Sequence, residues 1–272
     1  MTTRLSALVP SKLAIGLAVL PVAIPVAYLL YLDRILSTRF RTVTGVRDKR
    51  RPSASDTSPI PPDIPPPASL PEEVRADADG SEWVLACERV VSEPLALALA
   101  PSASAVVPDL VTRYVRATMA AFSGTPQAWL LWASVDGRAR RTFAGRFIGA
   151  LAFRPGDRAN GFWVVRHRGE HRARDRSSQD ERVEMALDPP PGHRGGPAAV
   201  RGLVVAGLET RGEDGMVVFV NETWMWRLQG EEAPVLLERP LGRWLHAVLA
   251  RWLVMKGLEA VSEGGQVIVH DT

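Results

Sequence analysis

The nine residues Phe219-Val-Asn-Glu-Thr-Trp-Met-Trp-Arg227 hold the first candidate for chemistry in this chain. Read as a strand, they place Val220, Glu222, Trp224 and Trp226 on one face, and Asn221, Thr223, Met225 and Arg227 on the other. A carboxylate beside two indoles is poorly solvated, and desolvation raises a carboxyl pKa into the range useful for general acid/base work. Glu222 is therefore the candidate catalytic residue, with Trp224 and Trp226 as candidate ligand-binding walls. The competing expectation is structural. Glu222 then pairs with Arg166, Arg182 or Arg201 on another strand and pins the sheet, while the indoles are core.

The second candidate is the run from Gly242 to Met255. As a helix it sets Trp244, Val248, Trp252 and Met255 along one face and Leu245, Leu249 and Leu253 along an adjoining one. So apolar a surface needs cover from the sheet, a partner or lipid. Trp244, Trp252 and His246 join the candidate ligand-binding set. His246 has no second ligand three or four residues away, so a metal site is not expected there. His167, His171 and His193 lie in a Gly- and Arg-rich region that gives them no common face. The chain contains no H-E-x-x-H, no C-x-x-C, no P-loop, no strand-following G-x-G-x-x-G and no G-x-S-x-G. Zinc hydrolase, NTPase, Rossmann oxidoreductase and α/β-hydrolase readings are excluded with them, and neither a metal nor a cofactor is expected.

The elements that must position these residues read as an α+β domain over residues 80–272. Trp83–Val91 is a strand by its β-branched and aromatic content. Pro108–Phe122 is a helix, with Val111, Tyr114, Val115, Thr118, Met119 and Phe122 at three- and four-residue spacing. Gln127–Val135 is a short helix carrying Trp129 and Trp132. Strands are then expected at 146–153, 161–168, 182–187, 200–209 and 215–228. A turn falls at Arg154-Pro-Gly-Asp157, a solvated hairpin loop between 166 and 182, and a long helix at 242–261. This order predicts a curved antiparallel sheet around a C-terminal helix, in the manner of helix-grip (START-like) domains. NTF2-like and lipocalin-like folds are the alternatives.

Upstream, Leu13–Leu32 is twenty residues without a charge, long enough as a helix to span the roughly 30 Å of a bilayer. Asp33, Arg34 and a basic segment follow it where a cleaved signal would show small residues, so a retained anchor is expected. Residues 1–51 hold nine Lys/Arg against two Asp/Glu, a net of +7, whereas 52–272 hold 24 against 28, a net of −4. Most of the cations follow the span, which places the body of the protein in the cytosol and the short tail 1–12 in the lumen. The lone Cys87 forms no disulfide within the chain, in keeping with that side. The Asn221-Glu-Thr223 sequon lies in an expected buried strand, where no glycan fits. The basic character is a juxtamembrane collar at 33–51 that suits anionic headgroups, and nucleic-acid binding is excluded because the domain itself is acidic. Eight prolines in residues 52–71 predict a polyproline-like spacer, the linker running to 79.

With these segments in hand, the chain resembles small single-pass membrane accessory proteins of fungal polyketide–nonribosomal peptide (pyrrolidinone-type) biosynthetic clusters. The resemblance rests on the N-terminal span, Gly156-Asp157 with Gly161-Phe-Trp-Val-Val165, Val200-Arg-Gly-Leu-Val-Val205, Phe219–Arg227, and Leu236-Leu-Glu238 with Gly242-Arg-Trp-Leu-His246. It covers most of residues 140–260. It implies an endoplasmic-reticulum protein that works with a membrane cytochrome P450 in late tailoring or ring closure of an apolar intermediate. No catalytic residue comes with it. Two further functions follow from the residues themselves: a cofactor-free cyclase or isomerase using Glu222, and a membrane-tethered domain that binds a lipid or other hydrophobic small molecule.

Overall fold

The computed structural model describes residues 12–49, 58–97, 103–170, 180–191, 193, 201–211, 216–231, 233–263 and 267–268. In chain order the elements are α1 (Lys12–Arg39), β1 (Phe40–Arg47), α2 (Glu72–Ala76), β2 (Trp83–Ser92), β3 (Leu95–Leu97), α3 (Ala103–Ser123), α4 (Pro126–Ala133), α5 (Gly137–Arg140) and α6 (Gly145–Ala150). They continue with β4 (Arg158–Ala159), β5 (Trp163–Glu170), β6 (Glu181–Leu187), β7 (Arg201–Arg211), β8 (Met216–Leu228), α7 (Pro240–Glu263) and β9 (Val267–Ile268).

The strands form an antiparallel open sheet in the order β1-β2-β8-β7-β6-β5-β4, with β3 pairing β8 and β9. Strand alternation gives it two buried faces. One carries Val90, Val183, Met185, Leu208 and Phe219 against α3 and α7. The other carries Leu85, Cys87, Val205, Trp224 and Trp226. On the helix face, α3 presents Leu110, Val111, Tyr114, Val115 and Met119 at helical spacing, all buried. Tyr114 stacks at a tilt on Phe219, 4.9 Å between ring centres. Helix α7 meets α3 at Gly257, where a Cβ would stand 2.3 Å from the Tyr114 ring; only glycine lets the two helices come so close.

Three expectations change. The described part of the proline-rich segment, from residue 58, lies on the sheet instead of standing free as a spacer, and it turns twice, where Ile64 N and Leu70 N donate to Pro61 O and Pro67 O. Ile64, Leu70 and Val74 between and after the prolines are buried against Trp224 and Trp226. This strap passes over β1 at Gly45, where a Cβ would meet the Ile60 backbone at 2.5 Å. Its middle is held by Glu184, whose carboxylate accepts from Ala68 N (2.9 Å) and Ser69 N (2.6 Å). Secondly, the basic collar is no free tether: Phe40–Arg47 is the edge strand β1, so the sheet begins before residue 80. Thirdly, 146–153 is not a strand. Backbone bonds from Phe147 N and Ile148 N to Ala144 O wind 145–150 into α6, which buries the single residue Ile148, and 151–153 follow it as irregular chain.

The stretch expected to span a membrane is helical throughout, as part of α1, but it continues to Arg39 and packs Leu32 and Leu36 into the core beside α7. Among the described residues no helix is long and apolar enough to cross a membrane; side chains 12–23 lie outside them. Most of the hairpin loop expected at 166–182, with His171, also lies outside the described residues.

Candidate functional site

The two faces of β8 divide the sequence candidates. Glu222, Trp224 and Trp226 share the strap face, as alternation requires, and all three are buried there. Glu222 accepts from Arg89 Nη1 and from the Trp224 indole Nε1 (2.9 Å). Arg89 also bonds Glu209 (2.6 Å), which in turn holds Arg182 (2.7 Å). This is a buried chain of alternating charge. Burial pushes the Glu209 carboxyl upward, but the Arg89 hydrogen bond and the charges of Arg89, Arg182 and Arg211 outweigh it and hold the group below its ordinary range. Burial pulls Arg89 down, and the Glu222 and Glu209 charges more than offset it. Cys87, beside them, is pushed up by burial and by the Glu222 charge, which makes it an inert thiol. Glu222 thus has an arginine partner, though not one of the three expected: β2 lies beside β8 and Arg89 stands directly opposite Glu222 in the ladder. Among the described residues it lines neither of the two main cavities.

His246 does line one. A cavity of about 370 Å³ lies on the helix face between α3, α4, α7 and the sheet. Met119, Phe122, Leu131, Trp163, Met225 and Leu253 form its apolar walls. Five polar residues also line it: Thr118 from α3, Gln127 from α4, Asn221 and Thr223 from β8, and His246 from α7; the Thr118 hydroxyl is spent on Tyr114 O (2.8 Å), and Gln127 is exposed. His246 Nδ1 lies 2.6 Å from Glu88 Oε1. Glu88 comes from β2, one residue before Arg89 and therefore on the opposite face; it is 1% exposed, and its second oxygen has no hydrogen-bond partner among the described residues. With Nδ1 engaged by Glu88, Nε2 is the nitrogen left for a molecule in the cavity. No side-chain hydrogen bond occupies Asn221 or Thr223 among the described residues, although both are nearly buried. Buried polar groups are usually paired, so spare capacity converging on one apolar chamber marks a place for a ligand's polar atoms.

The other indoles of the candidate set do structural work. Trp244 Nε1 donates to Asp33 Oδ2 (3.0 Å) and joins α7 to α1. Trp252 is half-buried against the core cluster. A larger cleft of about 560 Å³ lies at the end of α1, between β1, β2 and the strap. It mixes exposed Arg39, Arg41 and Arg211 with exposed Asp63 and Glu93, and offers no acid/base pair set in apolar walls. His167 and His193 lie away from the cavity, and no group of His, Cys, Asp and Glu among the described residues suits a metal.

The residue that sequence reasoning missed is Glu88. Its signal was present: adjacent Glu88 and Arg89 interrupt the apolar run WVLACERVV, and adjacent charges in a strand buried on both faces must each find a partner, one per face. Compared with family models, with curated proteins and with solved structures, the chain has no match in any of the three.

Proposed function

We propose that this chain is a membrane-tethered domain that takes an apolar small molecule into the helix-face cavity and exchanges a proton with it through His246. The observation that carries the reading is the His246–Glu88 pair at the wall of a mainly apolar chamber. A buried carboxylate on Nδ1 orients the imidazole and balances the imidazolium that forms when Nε2 takes a proton. A C–H next to a carbonyl is the substrate group that fits. Nε2 accepts that proton, the C–H electron pair becomes the carbon–carbon π bond of an enolate, and the carbonyl oxygen takes the negative charge. The Asn221 amide and Thr223 hydroxyl supply hydrogen-bond donors for that oxygen. Where a carbon–carbon double bond adjoins that carbon, the anion is a dienolate, and return of the proton from Nε2 to its far carbon completes an isomerisation; attack of the enolate carbon on a second carbonyl of the same molecule, whose oxygen then takes the proton back from Nε2, completes a ring closure. Neither route needs a cofactor.

The open antiparallel sheet with a long C-terminal helix fits a helix-grip reading of the fold, and that reading supports a ligand chamber by analogy. The uncharged run Leu13–Leu32 and the cations behind it support the tether and a cytosolic domain. In the setting that the resemblance implies, the molecule is a polyketide–amino acid intermediate, handled at the endoplasmic reticulum beside a membrane cytochrome P450.

The test is product formation in the producing cell with His246→Gln, Glu88→Gln and the wild type at equal protein level in the membrane fraction. Both variants are expected to lower product at least tenfold. Wild-type yield from both would remove the proton-transfer role and leave an accessory protein that only holds or presents its ligand.

A further inference from the structure

Exposed apolar side chains stand on α1, on α4 and at the start of α7. Helices α1 and α7 lie side by side and run in the same direction. Asp33 bonds Trp244 and Arg251 (3.0 and 2.6 Å), and further along, Arg39 and Phe40 lie by Met255 and Leu258. Followed back towards their N-termini, both helices expose more apolar side chains, although α7 keeps Arg243 in its first turn. On α1, Asp33 and Arg34 give way to exposed Tyr31, Leu30, Tyr28 and Ile24. On α7, the Lys256–Glu259 ion pair gives way to half-buried Trp252 and Leu249 and then to exposed Leu245 and Leu241, with Leu241 67% exposed. The cavity's rim adjoins these residues. Leu130 and Leu236 both line the cavity and are exposed, and Trp129 and Trp132 stand exposed beside Leu130 on α4.

We infer that the N-terminal turns of α7, together with α4, rest in the headgroup–acyl boundary of a lipid bilayer, so that the cavity opens to lipid. The inference rests on the tethered reading above. A bilayer is the occupant that fits because the patch continues the apolar surface of α1, which on that reading is already in the membrane. Indoles such as Trp129 and Trp132 are the side chains enriched at that boundary. Arg239 and Arg243 at the start of α7, and Arg140 stacked 4.4 Å over the Trp132 ring, supply cations for phosphate headgroups. An apolar molecule then passes between bilayer and cavity at the Leu130–Leu236 rim without crossing water. The membrane becomes the reservoir of the substrate.

The experiment uses the full-length chain with Cys87→Ala, reconstituted in phosphatidylcholine vesicles containing a minor share of phosphatidylserine. A nitroxide is attached singly at Leu130→Cys, Leu245→Cys, Lys256→Cys or Leu20→Cys. Collision with dissolved oxygen reports lipid, and collision with a water-soluble nickel chelate reports water. The expected result is an oxygen-to-nickel ratio several-fold higher at 130, 245 and 20 than at 256. Ratios at 130 and 245 equal to that at 256, with 20 in lipid, overturn the docking while leaving the anchor intact. A label at 20 in water overturns the tether and the inference with it. Labels at 130 and 245 shielded from both reagents mean that protein covers the patch, a partner or a second copy, and also overturn the inference.

Discussion

The two faces of one sheet treat buried carboxylates in opposite ways. On the strap face Glu222 and Glu209 are enclosed with Arg89 and Arg182, the charges alternate, and an indole N–H fills the remaining acceptor of Glu222. On the helix face Glu88 has, among the described residues, a histidine for its sole side-chain partner, an oxygen left over, and a cavity beyond the ring. Burial alone therefore does not mark a catalytic acid. A carboxylate saturated by guanidinium is a structural pin, whereas one that leaves a neighbouring imidazole nitrogen facing an apolar chamber is placed to move a proton.

The contrast can be broken most forcefully at Arg89. Arg89→Met strands Glu222 and Glu209 without their shared cation, and breaking a buried pair in this way costs about 3–5 kcal/mol. Urea denaturation in detergent checks it, and a loss near zero would mean that the strap face is not held by charge. On the helix face Gly257→Ala drives a methyl into Tyr114 and is expected to cost about 1–3 kcal/mol by overpacking, read from the same denaturation curves. Glu184→Gln removes the charge that receives two strap amides. It should weaken the strap by about 1–2 kcal/mol, seen as faster hydrogen exchange at Ala68 and Ser69 with little change elsewhere.

The pH response sharpens the comparison further. Glu209 is held below its ordinary value of 4.5, so its ionised form is the one the fold favours. Its contribution is complete above pH 4.5 and is lost as pH falls through the lower folded value. Asp180, raised first by burial, has the opposite sign: it stabilises while protonated, and that contribution is lost as pH rises through its folded value. Glu209→Gln should flatten the acid limb of a stability–pH curve, and an unchanged limb would contradict the network. The smallest stability effect is expected at the dyad itself, where Glu88→Gln keeps the shape and one hydrogen bond and costs about 1 kcal/mol or less.

How much of this was legible in the sequence depended on range. The faces of β8 followed from alternation, and α3, α4 and α7 from periodicity and turn residues. The partner of Glu222 did not, because the sheet order that puts β2 beside β8 is set by contacts more than a hundred residues apart. The strap's composition excluded a long helix but showed neither its two turns nor the surface beneath it. Ile64, Leu70 and Val74 were the available signal, since a solvated spacer has no use for them. His246 could be named as a helix residue of interest, but its worth rests on Glu88, and nothing local to either residue shows that α7 crosses β2 there.

The most direct measurement of the central claim is small-molecule mass spectrometry on the full-length protein isolated from its source membranes, compared with Leu253→Trp, which fills the cavity from α7. The account predicts a near-stoichiometric apolar molecule carrying a carbonyl in the wild type and its loss from the folded variant. The same molecule at the same occupancy in both proteins, or none in either, would contradict a binding site in this cavity.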